Sequence, residues 1–231
     1  MKESELFAPV KEFLLENGCS DVYGEVLDCD VLGINGACNI IVELKKTLSF
    51  KLIDQAIERL SYGHYVYIAI PNRKGPLPRC VKRILEENKI GLLMYKEMHG
   101  ELYKEMYGEG FMHVEIPARF NRLTIRNQYS IRKFIREYHK DQVGGVKGGE
   151  GKTDYSVMID SIKDFLAYRK RGQWVTIEEI LNSCEVYYAK PKPSLIATLQ
   201  ATWNRGWCET KVENKQRYFR LKSEKIFGIV Q

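Results

Sequence analysis

The chain has no apolar run approaching the roughly 20 residues that cross a membrane, and no secretory leader at its start. Its mean hydropathy is mildly negative, so a soluble, cytoplasmic protein is expected. It also lacks any Cys-x-x-Cys spacing. The six cysteines (Cys19, Cys29, Cys38, Cys80, Cys184 and Cys208) are scattered, several among apolar neighbours, which predicts reduced core thiols rather than a zinc site or a disulfide framework. A complete phosphate-binding loop is missing too. Gly151-Lys152-Thr153 ends like one, but the pattern G-x-x-x-x-G-K-T needs glycine where Val146 stands, and a helical pattern rather than a strand precedes it. Residues 144–153 therefore read as a flexible glycine-rich linker.

What the chain does have is an uneven charge. Of its 231 residues, 1–117 carry fourteen Lys and Arg against eighteen Asp and Glu, whereas 118–140 carry seven against one and 154–231 thirteen against nine. The first half is thus net acidic, and the positive charge behind the chain's net +6 lies beyond it. An acidic site followed by basic surfaces suits a protein that handles a polyanion.

The acidic part is organised around residues 28–55. Residues 26–32 alternate apolar and acidic positions, Asn35-Gly36 is a strong hairpin-turn signal, and residues 39–45 form a second β-branched run. Period two puts Asp28 with Asp30 on one face of the first strand and Glu43 with Lys45 on one face of the second. A two-residue turn at Asn35-Gly36 would set Glu43 opposite Asp28, with Asp30 on the diagonal. Carboxylates converging without equal positive charge repel one another, and a hard divalent cation with oxygen ligands relieves this. A salt bridge to Lys45 at a solvated sheet edge is the ordinary alternative. A metal, an ammonium group and an oriented water together equip a site for phosphodiester hydrolysis.

Asp30, then Glu43-Leu44-Lys45, then a helix bearing Gln55, resembles the PD-(D/E)XK nuclease superfamily over roughly residues 3–95. Glu5, on an amphipathic first helix, is similar to the extra acid that many members carry ahead of the core. No proline precedes Asp30. The resemblance implies a restriction-endonuclease-like α/β fold, a mixed sheet flanked by helices. It implies Mg²⁺ or Mn²⁺ on Asp30 and Glu43 with the Leu44 carbonyl, Lys45 acting on the attacking water and phosphorus, and Gln55 positioning phosphate or water. The family spacing selects Asp30 as the metal ligand, whereas the hairpin register favours Asp28.

The rest of the first half reads as an α/β layer structure. A first helix over residues 3–17 has the stripe Leu6, Val10, Phe13 and Leu14 and stops at Gly18. Ser49 caps a helix to about Tyr62, with Leu52, Ile53, Ala56 and Leu60 on its apolar side and Lys51, Gln55 and Arg59 on another; Arg59 is assigned to phosphate. Residues 64–71 predict a buried central strand, 77–88 a helix and 90–95 a further strand. The repeat of residues 95–101 in 103–109 predicts an edge hairpin. Residues 118–140 predict a basic connector helix with Arg132, Lys133 and Arg136 on its polar side, directed at phosphate.

From residue 154 onward a second, small domain is expected. A helix over 157–168, a Thr176-capped helix to Cys184, a Ser194-capped helix ending at Gly206, and two strands around residues 213–215 look like a winged helix-turn-helix. Ser194, Thr198, Gln200, Thr202, Asn204 and Arg205 would face bases, and Lys211, Lys215, Arg217 and Arg220 the backbone. The expected division is 1–117, a connector over 118–153, and 154–231. The expected function is a metal-dependent DNA endonuclease, with RNA also open as a substrate and pairing of two chains left open. The alternative is a catalytically silent binding module on the same fold.

Overall fold

The computed structural model describes residues 1–98, 109–146 and 151–222. It divides into two compact units, Met1–Gly151 and Lys152–Gln231. The first is mixed α/β. Its six-stranded sheet runs in the order β1 (Asp21–Val26), β2 (Cys29–Asn35), β3 (Cys38–Leu44), β4 (Tyr65–Pro71), β5 (Gly91–Glu97) and β6 (Gly110–Ile116). Pairings β3–β4 and β4–β5 are parallel and the other three antiparallel. The parallel strands are joined through α2 (Phe50–Arg59) and α3 (Arg79–Glu87), the two crossovers that parallel neighbours require.

The apolar stripes place the helices. Residues Glu3–Leu6 make a 3₁₀ turn leading into α1 (Phe7–Glu16). Leu6, Val10 and Leu14 are buried with Val31, Val42, Leu44 and Leu93 on one face of the sheet. On the other face Leu52, Ile53 and Ala56 of α2 and Leu85 of α3 pack over Leu32, Ile41, Ile68 and Leu92. Ser49 caps α2 as predicted, its hydroxyl accepting the Leu52 N–H at 3.2 Å. β4, paired on both sides and covered on both faces, is the near-continuous apolar run expected of a central strand.

Two expectations are corrected here. Residues 26–32 are not one strand: a tight turn at Leu27-Asp28 separates β1 from β2, closed by the Val26↔Cys29 pair. Residues 118–140 are not one helix either. They form a single helical turn, α4 (Ile125–Gln128), and the 3₁₀ turns Ile131–Phe134 and Glu137–Lys140, all within the first unit. Ile131 is buried in the core, and Asn121 donates to the Leu60 and Gly63 carbonyls at 2.7 and 3.0 Å. The isoleucines and phenylalanine of this stretch have helical spacing, but side-chain bonds to the sheet's own loops bend the chain around it. β5 pairs antiparallel with β6, a strand the sequence reading did not include; the repeat expected to form an edge hairpin lies largely in residues 99–108, outside the described residues.

The second unit comprises α5 (Asp154–Asp164), a further turn of helix over Phe165–Arg169, β7 (Val175–Thr176), α6 (Ile177–Ser183), α7 (Pro191–Gln200), β8 (Cys208–Glu213) and β9 (Gln216–Leu221). The three strands are ordered β7-β9-β8. Thr176 caps α6 in a reciprocal box with Glu179. The third helix starts at Pro191, not at Ser194, because proline fills the first helical position where no N–H is needed. Its core joins Ile162, Phe165, Ile180, Leu195, Leu199 and Phe219. Among the described residues no helix is long and apolar enough to cross a membrane.

Candidate functional site

The register of β2 on β3 decides which acids meet. Asn35 pairs with Cys38, so the turn centres on Gly36 and Ala37, with Gly36 at φ +53°, where glycine is the favoured residue. Relative to a turn at Asn35-Gly36, the partner strand slides by two residues. An even slide changes partners without changing faces. Val31 sits opposite Val42, and the next step along the ladder sets Asp30 opposite Glu43.

Asp28 lies in the β1–β2 turn with its side chain 72% exposed, off the ladder altogether. It turns towards Arg59, its carboxylate at 3.5 Å and its carbonyl accepting an Nη2 hydrogen at 2.6 Å. As placed, it is not on Glu43.

Glu43 is 2% exposed and receives Arg59 Nε on Oε1 at 2.7 Å. Arg59, 5% exposed, also donates to the Tyr62 hydroxyl at 3.2 Å. It is thus committed inside the fold and cannot serve as the surface phosphate contact expected of it. Burial and then the charge of Asp30 push the Glu43 carboxyl up to about 7, against the opposing pull of Arg59. Asp30 is also raised, by burial first, while the Leu44 N–H that it accepts at 2.7 Å and the Lys45 charge oppose the rise.

Lys45 follows β3 and pairs with Glu3 at 2.9 Å. Burial lowers its ammonium, but the Glu3 hydrogen bond and the charges of Asp30 and Glu43 outweigh this and hold it above its ordinary value. It therefore remains a cation. Glu5, assigned to the site by sequence, instead accepts the Lys2 N–H at 2.8 Å at the exposed start of the 3₁₀ turn. Glu3 takes its place, because the chain begins with a 3₁₀ turn and the facing positions differ from those of a regular helix. Gln55 lies on α2 one turn before Arg59, its Oε1 buried without a hydrogen-bond partner among the described residues.

A fourth carboxylate was not anticipated. Glu25 falls between the Gly24↔Val31 and Val26↔Cys29 pairs, next to Asp30. Burial, then the Asp30 charge, raises its carboxyl. Its Oε1 accepts the Gly145 and Val146 N–H groups at 2.7 and 3.3 Å. The segment carrying those amides is therefore not a free linker at this point. It runs so close that a Cβ on Gly144 would meet the Asp30 carbonyl oxygen at 2.0 Å.

Glu3, Glu25, Asp30 and Glu43 thus share one electrostatic neighbourhood with two cations, Lys45 and Arg59. Among the described residues no three His, Cys, Asp or Glu side chains are close enough together to hold a metal by themselves. The crowded carboxylates suit a cation, and Asp30 and Glu43 are the two that could hold one. Such a site would complete its coordination from backbone carbonyl and water oxygens, as Mg²⁺ commonly does.

The expected nucleic-acid contacts divide. Arg132 is turned inward, its Nε on Asn39 Oδ1 at 2.7 Å and its Nη2 on the Gly36 and Cys38 carbonyls. Arg136 donates to the Lys133 and Ile135 carbonyls, while Lys133 itself is exposed. In the second unit Lys211 pairs with Glu213 and Arg220 with Glu209, each at 2.6 Å, and both cations lie over the Trp174 ring. Lys215 is exposed at the hairpin tip and Arg217 half-buried beside it. Of the expected base-facing groups, Asn204 is buried on Tyr155, Thr198 and Trp207, and the Thr198 hydroxyl is bonded to Tyr188. Searches with the whole chain found no matching family model, curated protein or solved structure.

Proposed function

We propose that the chain is a Mg²⁺- or Mn²⁺-dependent endonuclease of the PD-(D/E)XK type acting on DNA, its second unit a winged-helix-like grip on the duplex. One observation carries the reading: Asp30 and Glu43 are brought opposite each other on adjacent strands, with Lys45 held as a cation in the same field. A divalent ion on the two carboxylates would supply charge neutralisation and an activated water. Lys45 would stabilise charge developing on a phosphate, and Leu44 holds Asp30 through its N–H. Three helices, with β7 after the first and β8 and β9 after the third in a sheet ordered β7-β9-β8, support the winged-helix reading, with Lys215 and Arg217 as its available cations.

A second reading has its own support. The Glu43–Arg59 and Lys45–Glu3 pairs already give two of the acids a counter-charge, as a silent binding module would require. The test is incubation of supercoiled plasmid with the wild-type chain and with Lys45→Ala in Mn²⁺, Mg²⁺ and chelator. Metal-dependent nicking that is lost in the variant supports the enzyme; binding without cleavage of plasmid, junction or single-stranded substrates supports the module.

A further inference from the structure

Beside Lys45, at the carboxyl ends of the parallel strands β3 and β4, lies a cavity of about 420 Å³. Crevices at the carboxyl ends of parallel strands are where open α/β sheets take ligands. Its floor is apolar, formed by Ile53 of α2 and Ile70 of β4. At its edge stands Phe50, 69% exposed, an aromatic ring that the fold leaves out of the core. Lys46, Arg73 and Lys74 also line it, no Asp or Glu does, and none of the three cations makes an ion pair among the described residues. An aromatic face, apolar walls and unopposed cations together fit a flat heteroaromatic ring carrying an anion.

We propose that this cavity holds one nucleotide, its base against Phe50 and its phosphate on Lys46, Arg73 and Lys74. The inference rests on the nuclease reading only for its setting: a strand crossing Lys45 would present an unpaired position to the cavity. Turning a base out of a stack is easiest where it is already unpaired. A free nucleotide has the same chemistry, and the experiment separates the two sources.

The full chain is titrated in chelator with a labelled duplex carrying one unpaired adenosine and with the same duplex fully paired, followed by anisotropy, with free 5′-AMP as competitor. Base–aromatic stacking predicts a preference of at least about fivefold for the unpaired duplex. The preference is expected to vanish in Phe50→Ala and to persist in Phe50→Tyr, while the fully paired duplex binds all three proteins alike. Because Phe50 is exposed, neither change threatens the core. A preference without AMP competition assigns the cavity to a strand-borne nucleotide; competition lost in Phe50→Ala assigns it to a free one. Equal affinity for the two duplexes with no AMP competition overturns the proposal, as does a preference retained in Phe50→Ala. Cleavage plays no part in this readout, so absence of cleavage on plasmid, junction and single-stranded substrates with the preference intact counts against the nuclease reading alone.

Discussion

Replacing Arg59 with methionine probes the buried charges directly. The substitution removes a guanidinium that is 5% exposed and leaves Glu43, 2% exposed, facing Asp30 without its cation at 2.7 Å. Removing one partner of a buried ion pair costs about 3–5 kcal/mol, most of it from the charge left behind. The loss depends on pH, and its sign follows from Glu43. Its folded value of about 7 lies above the ordinary 4.5, so its contribution to stability is fully present below 4.5 and is lost as pH rises through about 7. Arg59 lowers that folded value, so in the variant the loss continues to higher pH. At about pH 6 Glu43 is mostly protonated in both proteins and the difference is small; above 7 it widens by about 1.4 kcal/mol per pH unit. All three tryptophans, Trp174, Trp203 and Trp207, lie in the second unit. Urea unfolding followed by far-UV circular dichroism therefore reports both units, and tryptophan fluorescence only the second. At about pH 8, one unit above the Glu43 value, the dichroism transition is expected to fall by about 0.7 M, for a slope near 2 kcal/mol per molar, while the fluorescence transition stays put. A shift worth under about 1 kcal/mol, or one equal at about pH 6 and pH 8, would refute the argument.

Glu43→Ala and Lys45→Ala are each expected to lower metal-dependent nicking at least ~100-fold, while duplex affinity in chelator stays within about threefold by gel shift. Deleting residues 152–231 should reduce the salt slope of DNA binding by about 2, because Lys215 and Arg217 are available whereas Lys211 and Arg220 are tied to Glu213 and Glu209. An unchanged slope would remove the second unit from the interface. Gly144→Ala should destabilise the first unit by about 1–3 kcal/mol, since the new methyl meets the Asp30 carbonyl, and amide exchange at Gly145 and Val146 should speed up as their bonds to Glu25 loosen.

The strands and helices were legible because their signals are local. Ser49, Thr176 and the run ending at Pro71 each mark an element from within its own few residues. Partner choice was less legible. Alternation gave the correct face for Asp30 and Glu43, but it counted Asp28 as a strand residue where the chain turns, and a hairpin turn displaced by one residue set Asp30 opposite Glu43. The family spacing pointed to Asp30 where the turn signal alone did not. Least legible was everything held by contacts distant in sequence. Arg59 looks like a surface cation because only the folded structure brings Glu43 and Asp28 to it, across 16 and 31 residues. Arg132 is drawn to Asn39 over 93 residues, and Glu25 to the Gly145 amide over 120.

Those long-range contacts also show why the acid excess persists. Four carboxylates face two cations, and each cation is already shared: Arg59 serves Glu43 and the Asp28 turn, and Lys45 serves Glu3 while lying in the field of Asp30 and Glu43. A fold selecting only for stability could replace Asp30, opposite Glu43, with an apolar residue at little loss, since removing buried like charges is commonly neutral or favourable. Keeping both acids opposed, and fixing one through the Leu44 N–H, maintains a demand for positive charge at one spot beside Lys45. A proton on Glu43 answers that demand in part; a divalent cation would answer it in full. Compensation within the chain and affinity for a metal are thus two responses to the same buried charge, and a rise in melting temperature with Mn²⁺ that disappears in Glu43→Ala would distinguish them.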